Sequence, residues 1–111
     1  MNVEIQWTPE AESQFNALEA SAEKAVRLGR KTKPFSLFKQ VEGCINKLRT
    51  QGPRHQGLHT HEFTSLNNPL RPDEKVFEAY AQNHTPGAYR VFWCYGPGKG
   101  QITIVAITSH P

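Results

Sequence analysis

"AYRVFWCYGPGKGQITIVAITSHP", Ala88–Pro111, carries the clearest strand pattern of the chain. Two apolar runs rich in strand-forming residues, Tyr89–Tyr95 and Ile102–Thr108, flank a turn at Gly96–Gly100. That pattern predicts an antiparallel hairpin. Alternation puts Tyr89, Val91, Trp93 and Tyr95 on one face and Arg90, Phe92 and Cys94 on the other. A turn centred near Gly98 sets Arg90 opposite Ala106 or Ile107, with His110 a few residues further along the neighbouring strand. Val91 and Trp93 suit a core. Arg90 is therefore expected on the opposite face, in a partly solvent-accessible groove shared with His110. Taken singly, each has a plainer reading: a surface arginine on a strand, and a frayed terminus.

Working back from the hairpin, Val76–Ala81 reads as a strand, joined to it by a turn at Asn83, Pro86 and Gly87. The three strands then form an antiparallel meander. Before them, Pro53–Lys75 is rich in proline, glycine, asparagine and histidine, a long loop with a short extended piece at Leu58–Phe63. Long ordered loops in small domains are often functional. Further back, Pro34 opens a helix with the stripe Phe35, Phe38, Val41, Ile45 and Leu48, ended by Gly52-Pro53. Gly43 weakens it by about 1 kcal/mol relative to alanine, so close packing is expected there. The preceding helix has Thr8 as N-cap and Pro9 at its first position. Its stripe is Ala11, Phe15, Leu18, Ala22 and Ala25, and it stops near Gly29 in the basic segment Arg27–Lys33. Val3, Ile5 and Trp7 alternate with polar neighbours as a first strand.

The order predicts an α+β fold. An N-terminal strand is followed by two helices on one face of a small, mainly antiparallel four-stranded sheet. A chain of 111 residues makes this a single domain, 1–111. A net charge of +3 with 21% charged residues permits a polyanionic partner without demanding one. Met1 is followed directly by the polar segment NVEIQW, and no apolar run is long enough for a bilayer. The expectation is a soluble, cytoplasmic protein with no membrane partner.

The groups that could carry chemistry are Arg90, His110 and the central-loop residues Arg54, His55, His59, His61 and Glu62. In extended chain, His59 and His61 point to one side. Two histidines could begin a zinc site, but no third ligand stands at a motif spacing. Hydrogen-bonding and proton-transferring groups beside a phosphate are the more economical reading. GPGKG lacks the spacing of a phosphate loop and lies between strands, so it is a hairpin turn. Cys44 falls on a helix core face and Cys94 on a strand. This favours two reduced thiols over a disulfide and argues against a nucleophilic cysteine.

The order of elements, with "VEIQWTPEAESQFNAL", "GLHTHEF", "GAYRVFW" and the terminal "ITIVAITSHP", resembles the RelE/ParE superfamily of bacterial toxins. The likeness runs over nearly the whole chain and is closest to the HigB-like members with histidines in the middle loop. It implies an endoribonuclease that cuts messenger RNA on the ribosome, without cofactor or metal, and is neutralised by an antitoxin protein covering its site. Arg90 looks like the family's phosphate-binding arginine and His110 like its C-terminal proton donor. His59, His61 and Glu62 look like further active-site groups, and Arg54, His55, Lys75 and Lys99 are the expected RNA contacts. Two features depart from the pattern: Ser109 and Pro111, not a tyrosine, flank His110, and the lysine-rich loop of the most basic members is missing. Because the superfamily also includes ParE-type poisons of DNA gyrase, the resemblance leaves two alternatives, a gyrase inhibitor and a non-catalytic binding module.

Overall fold

Thr8 and Pro9 start the first helix as their chemistry requires. Thr8 is extended, its hydroxyl accepts from the Ala11 amide, and Pro9 occupies the first turn. The computed structural model describes residues 2–29, 33–82 and 87–110. In chain order the elements are β1 (Glu4–Trp7), α1 (Pro9–Arg27), α2 (Lys33–Gln51), β2 (His61–Phe63), β3 (Val76–Tyr80), β4 (Tyr89–Tyr95) and β5 (Gln101–Ser109). A single 3₁₀ turn, Gln56–Leu58, lies between α2 and β2. The expected turn at Asn83 and Pro86 falls outside the described residues, as do residues 30–32 of the basic segment. No described helix is long and apolar enough to cross a membrane.

Among the described residues the sheet has five strands, not four, in the order β1-β5-β4-β3-β2. The extra one is β2, three residues long, paired antiparallel to the edge of β3. Its brevity hid it inside the loop. β1 runs parallel to β5, and every other pair is antiparallel. Both helices cover one face. Ala11 of α1 and Val41, Cys44, Ile45 and Leu48 of α2 bury against Phe77, Ala79, Val91, Trp93, Ile102, Ile104 and Ile107. The tilted contacts Trp7–Phe15 and Phe15–Phe38 tie β1, α1 and α2 together. Gly43 departs from expectation: a Cβ there would meet nothing within 4 Å. Gly43→Ala should therefore add the full helix-propensity gain of about 0.8 kcal/mol. Thermal unfolding should show a midpoint about 3 °C higher; a lower one would reveal packing at Gly43 after all.

One irregularity decides what the other face carries. From Tyr95↔Ile102 to Trp93↔Ile104 the β4–β5 ladder is regular, then Phe92 pairs with Ala106, leaving Val105 as an extra residue. Such a bulge shifts the face of everything beyond it. Strict alternation from Ile102 and Ile104 would have sent His110 beneath the helices. With the bulge, Ile107 turns into the core and Ala106, Thr108 and His110 turn to the opposite face. It also corrects the expected register, since Arg90 pairs with Thr108 rather than with Ala106 or Ile107. β1 ends at Trp7, and α1 takes up the backbone of β5 exposed beyond it. The Thr8 hydroxyl donates to Val105 O (2.9 Å), and the Ile107 amide donates to Gln14 Oε1 (2.6 Å).

The helix-free face is itself only half open. Residues 64–75 fold over one end of it, organised by buried Asn68. Its amide donates to Lys75 O, and its oxygen accepts from the Leu70 and Arg71 amides. Leu66 and Phe63 pack there on Val76, Phe92 and Ala106. The uncovered end is where β3, β4 and the close of β5 present their polar residues.

Candidate functional site

On β3, alternation sends Phe77 and Ala79 to the core and Val76, Glu78 and Tyr80 to the helix-free face. Glu78 is only 2% exposed, yet its carboxylate lies in a strand whose other residues are apolar or aromatic. A buried carboxylate is costly unless partnered, and Glu78 has two partners. Its Oε1 pairs with His61 Nε2 from β2, and its Oε2 with His110 Nδ1 from the end of β5, the latter at 3.0 Å. The two imidazoles are 48% and 40% exposed, so the cluster reaches from the sheet to solvent. The His110 amide donates to Ala88 O at 2.8 Å, which fastens this residue to the sheet.

Arg90 shares this face, diagonal to Glu78 across the β3–β4 ladder. It does not reach into solvent as expected: it is 3% exposed. Its guanidinium lies 3.7 Å from the centroid of the Tyr80 ring, a favourable stack for a desolvated cation. Nη1 donates to Tyr89 O (3.1 Å) and Gln82 O (3.4 Å). Arginine thus forms part of the floor of the site.

His59 packs against the other side of the site, its ring 5.3 Å from that of Tyr80. It is the one non-glycine among the described residues with a left-handed backbone (φ 50°), a conformation uncommon enough to ask for a cause. That turn aims its carbonyl at His61 Nδ1, 2.9 Å away. Phe63 walls the cluster from the covered end, its ring 4.7 Å from Phe92 and 6.0 Å from His110.

Four of the residues expected at the site therefore come together: Arg90, His110, His59 and His61. Glu62 does not join them. It alternates with His61 to the opposite side of β2 and pairs with Lys75 at 3.2 Å. The expected RNA contacts scatter. Arg54 lies over the Phe77 ring on the helix side, and His55 Nδ1 accepts from the Gly57 amide. Lys99 sits in the β4–β5 turn, at the other end of β4 from Arg90. Glu78 and Tyr80 were missed. The available signal was a lone carboxylate in VFEAY, two positions from an aromatic and in phase with it.

No cluster of three His, Cys, Asp or Glu among the described residues is arranged to hold a metal ion. Both cysteines are free and buried, on opposite faces of the sheet. Burial pushes the Cys44 thiol up to about 12. The Cys94 thiol is also raised, by burial first and then by Glu74. Neither is a thiolate nucleophile at neutral pH.

No protein-family model matches the sequence, and no curated protein matches it significantly. Solved structures do match in fold. The YoeB dimer from Staphylococcus aureus superposes with a TM-score of 0.63 at 11% identity, covering 100% of both chains. A YoeB/ParE toxin from Agrobacterium tumefaciens gives 0.61 at 8% identity, over 97% of this chain and 99% of that one. The archaeal RelE–RelB complex from Pyrococcus horikoshii OT3 gives 0.56 at 12% identity, over 98% and 96%. The fold is that of the RelE/ParE-type toxins, and at such identities the likeness is one of fold.

Proposed function

We propose that the protein is the toxin of a toxin–antitoxin pair, of the HigB-like kind. In this reading it acts in the cytoplasm and cuts messenger RNA on the ribosome by metal-independent acid–base chemistry. The observation that carries the reading is the buried Glu78 carboxylate shared between His61 and His110. A core gains nothing from a carboxylate held under two half-exposed imidazoles, whereas proton transfer needs an oriented imidazole with a carboxylate behind it. Fold alone does not choose between RNA and gyrase; the histidines favour RNA, because gyrase inhibition has no evident use for them.

In this mechanism the ribose 2′-OH gives its proton to solvent water and its oxygen attacks the adjacent phosphorus, the bond to the 5′-oxygen breaks, and a 2′,3′-cyclic phosphate and a 5′-hydroxyl result. RNA alone offers that nucleophile. Glu78 accepts from Nδ1 of His110, which fixes the ring. Nε2 is left to deliver the proton to the departing 5′-oxygen. Arg90 acts from beneath: its positive charge, held in the buried floor of the site, offsets charge developing on the phosphate oxygens. The antitoxin would neutralise the protein by covering this end of the sheet.

Expression in a bacterial host should arrest growth with loss of messenger RNA; accumulation of broken DNA with intact messenger would instead support the gyrase reading. In a translating extract, a strong chelator of transition metals should leave the cutting rate unchanged when magnesium is kept sufficient for translation. Activity lost with chelator and restored by zinc would overturn the metal-independent mechanism.

A further inference from the structure

His61 has two ring nitrogens, and both meet oxygen atoms. Nδ1 faces the carbonyl of His59 at 2.9 Å. A carbonyl oxygen only accepts, so this nitrogen must carry a proton. Nε2 faces Oε1 of Glu78, and a carboxylate likewise only accepts. His110 differs: Nδ1 donates to Glu78 Oε2, and Nε2 has no hydrogen-bond partner among the described residues.

We infer that His61 is a double hydrogen-bond donor, a cationic clamp that holds Glu78 in place and takes no proton from the substrate. The left-handed turn at His59 is part of the device, because it presents the carbonyl that fixes Nδ1. The charged and titratable groups around the clamp are Glu78 and Tyr80 from β3, Arg90 from β4, His110 at the end of β5, and His59 just before β2. Of these, Glu78 is the anion that His61 neutralises. With that charge answered, His110 can exchange a proton at Nε2 without leaving Glu78 bare. His61 is thus a positioning residue, and His110 is the proton-transferring histidine of the pair. The division of roles deepens the function proposed above; the protonation pattern itself stands without it.

Two measurements test the inference. The first needs no activity: ¹⁵N-resolved NMR of the histidine rings at neutral pH. Both nitrogens of His61 should be protonated, and the proton of His110 Nδ1 should be hydrogen-bonded to Glu78. A bare nitrogen on His61 would overturn the clamp. The second compares His61→Arg with His61→Phe in the cleavage assay. Arginine can donate to both oxygens but cannot act as a base near neutral pH. His61→Arg should stay within about tenfold of wild type, while His61→Phe should fall by about 100-fold, the lower range for losing the acid–base contribution of His110 once Glu78 is no longer held. Equal loss in both, with both folded, would make His61 a proton-transfer group and overturn the inference. Should the wild-type protein not cut RNA, the functional reading fails and the NMR result alone decides the clamp.

Discussion

His110→Ala should lower messenger RNA cleavage by about 10²–10⁴-fold and leave folding untouched. The imidazole is 40% exposed and its main contact is one bond to Glu78, so its removal opens no cavity. Growth arrest on expression should be relieved, and circular dichroism should report a native fold. Glu78→Gln is the companion control. An amide presents one oxygen and one NH₂ group, so it can accept from His61 or from His110 but not from both. Cleavage should fall in this variant as well, with His110 still present. Full activity in Glu78→Gln would mean that the carboxylate does not orient the imidazole.

Arg90→Ala is expected to do two things at once. Cleavage should drop by at least as much as in His110→Ala, since charge stabilisation at a phosphoryl centre is often the larger effect. Stability should drop too. The side chain is 3% exposed and stacked on Tyr80, so truncation forfeits a desolvated cation–π contact and leaves a cavity. A loss of about 3 kcal/mol is expected, or a midpoint lower by roughly 12 °C. Inactivity of Arg90→Ala is therefore ambiguous unless its folded fraction is measured at the assay temperature. Arg90→Lys keeps the charge and most of the volume but not the planar stack. It should recover much of the stability and only part of the activity. An Arg90→Ala protein as stable as wild type would contradict the buried placement.

Much of this was legible in the sequence because it rests on local rules. Thr8-Pro9 and the spacing from Ala11 to Ala25 specify α1, and alternation in Tyr89–Tyr95 correctly separates Trp93 from Arg90. What escaped depends on tertiary structure. β2 is too short to show a period, and its three residues are strand only because the β3 edge pairs with them. The bulge at Val105 has no sequence mark; contacts from Thr8 and Gln14, more than ninety residues away, hold the bulged strand. The burial of Arg90 follows from Tyr80 on the adjacent strand, a neighbour set by register. Glu78 was overlooked because a lone acid in a strand usually points to water. Its two histidine partners come from strands on opposite sides of β3, β2 and β5, and only the fold brings them together.

The central claim is that this cluster performs transphosphorylation on RNA. The most direct test is the chemistry of the ends left on messenger RNA cut in a translating extract. Wild type should leave 2′,3′-cyclic phosphate and 5′-hydroxyl ends, and folded His110→Ala should not. Ends bearing a 3′-hydroxyl and a 5′-phosphate, or equal cutting by both proteins, would contradict it.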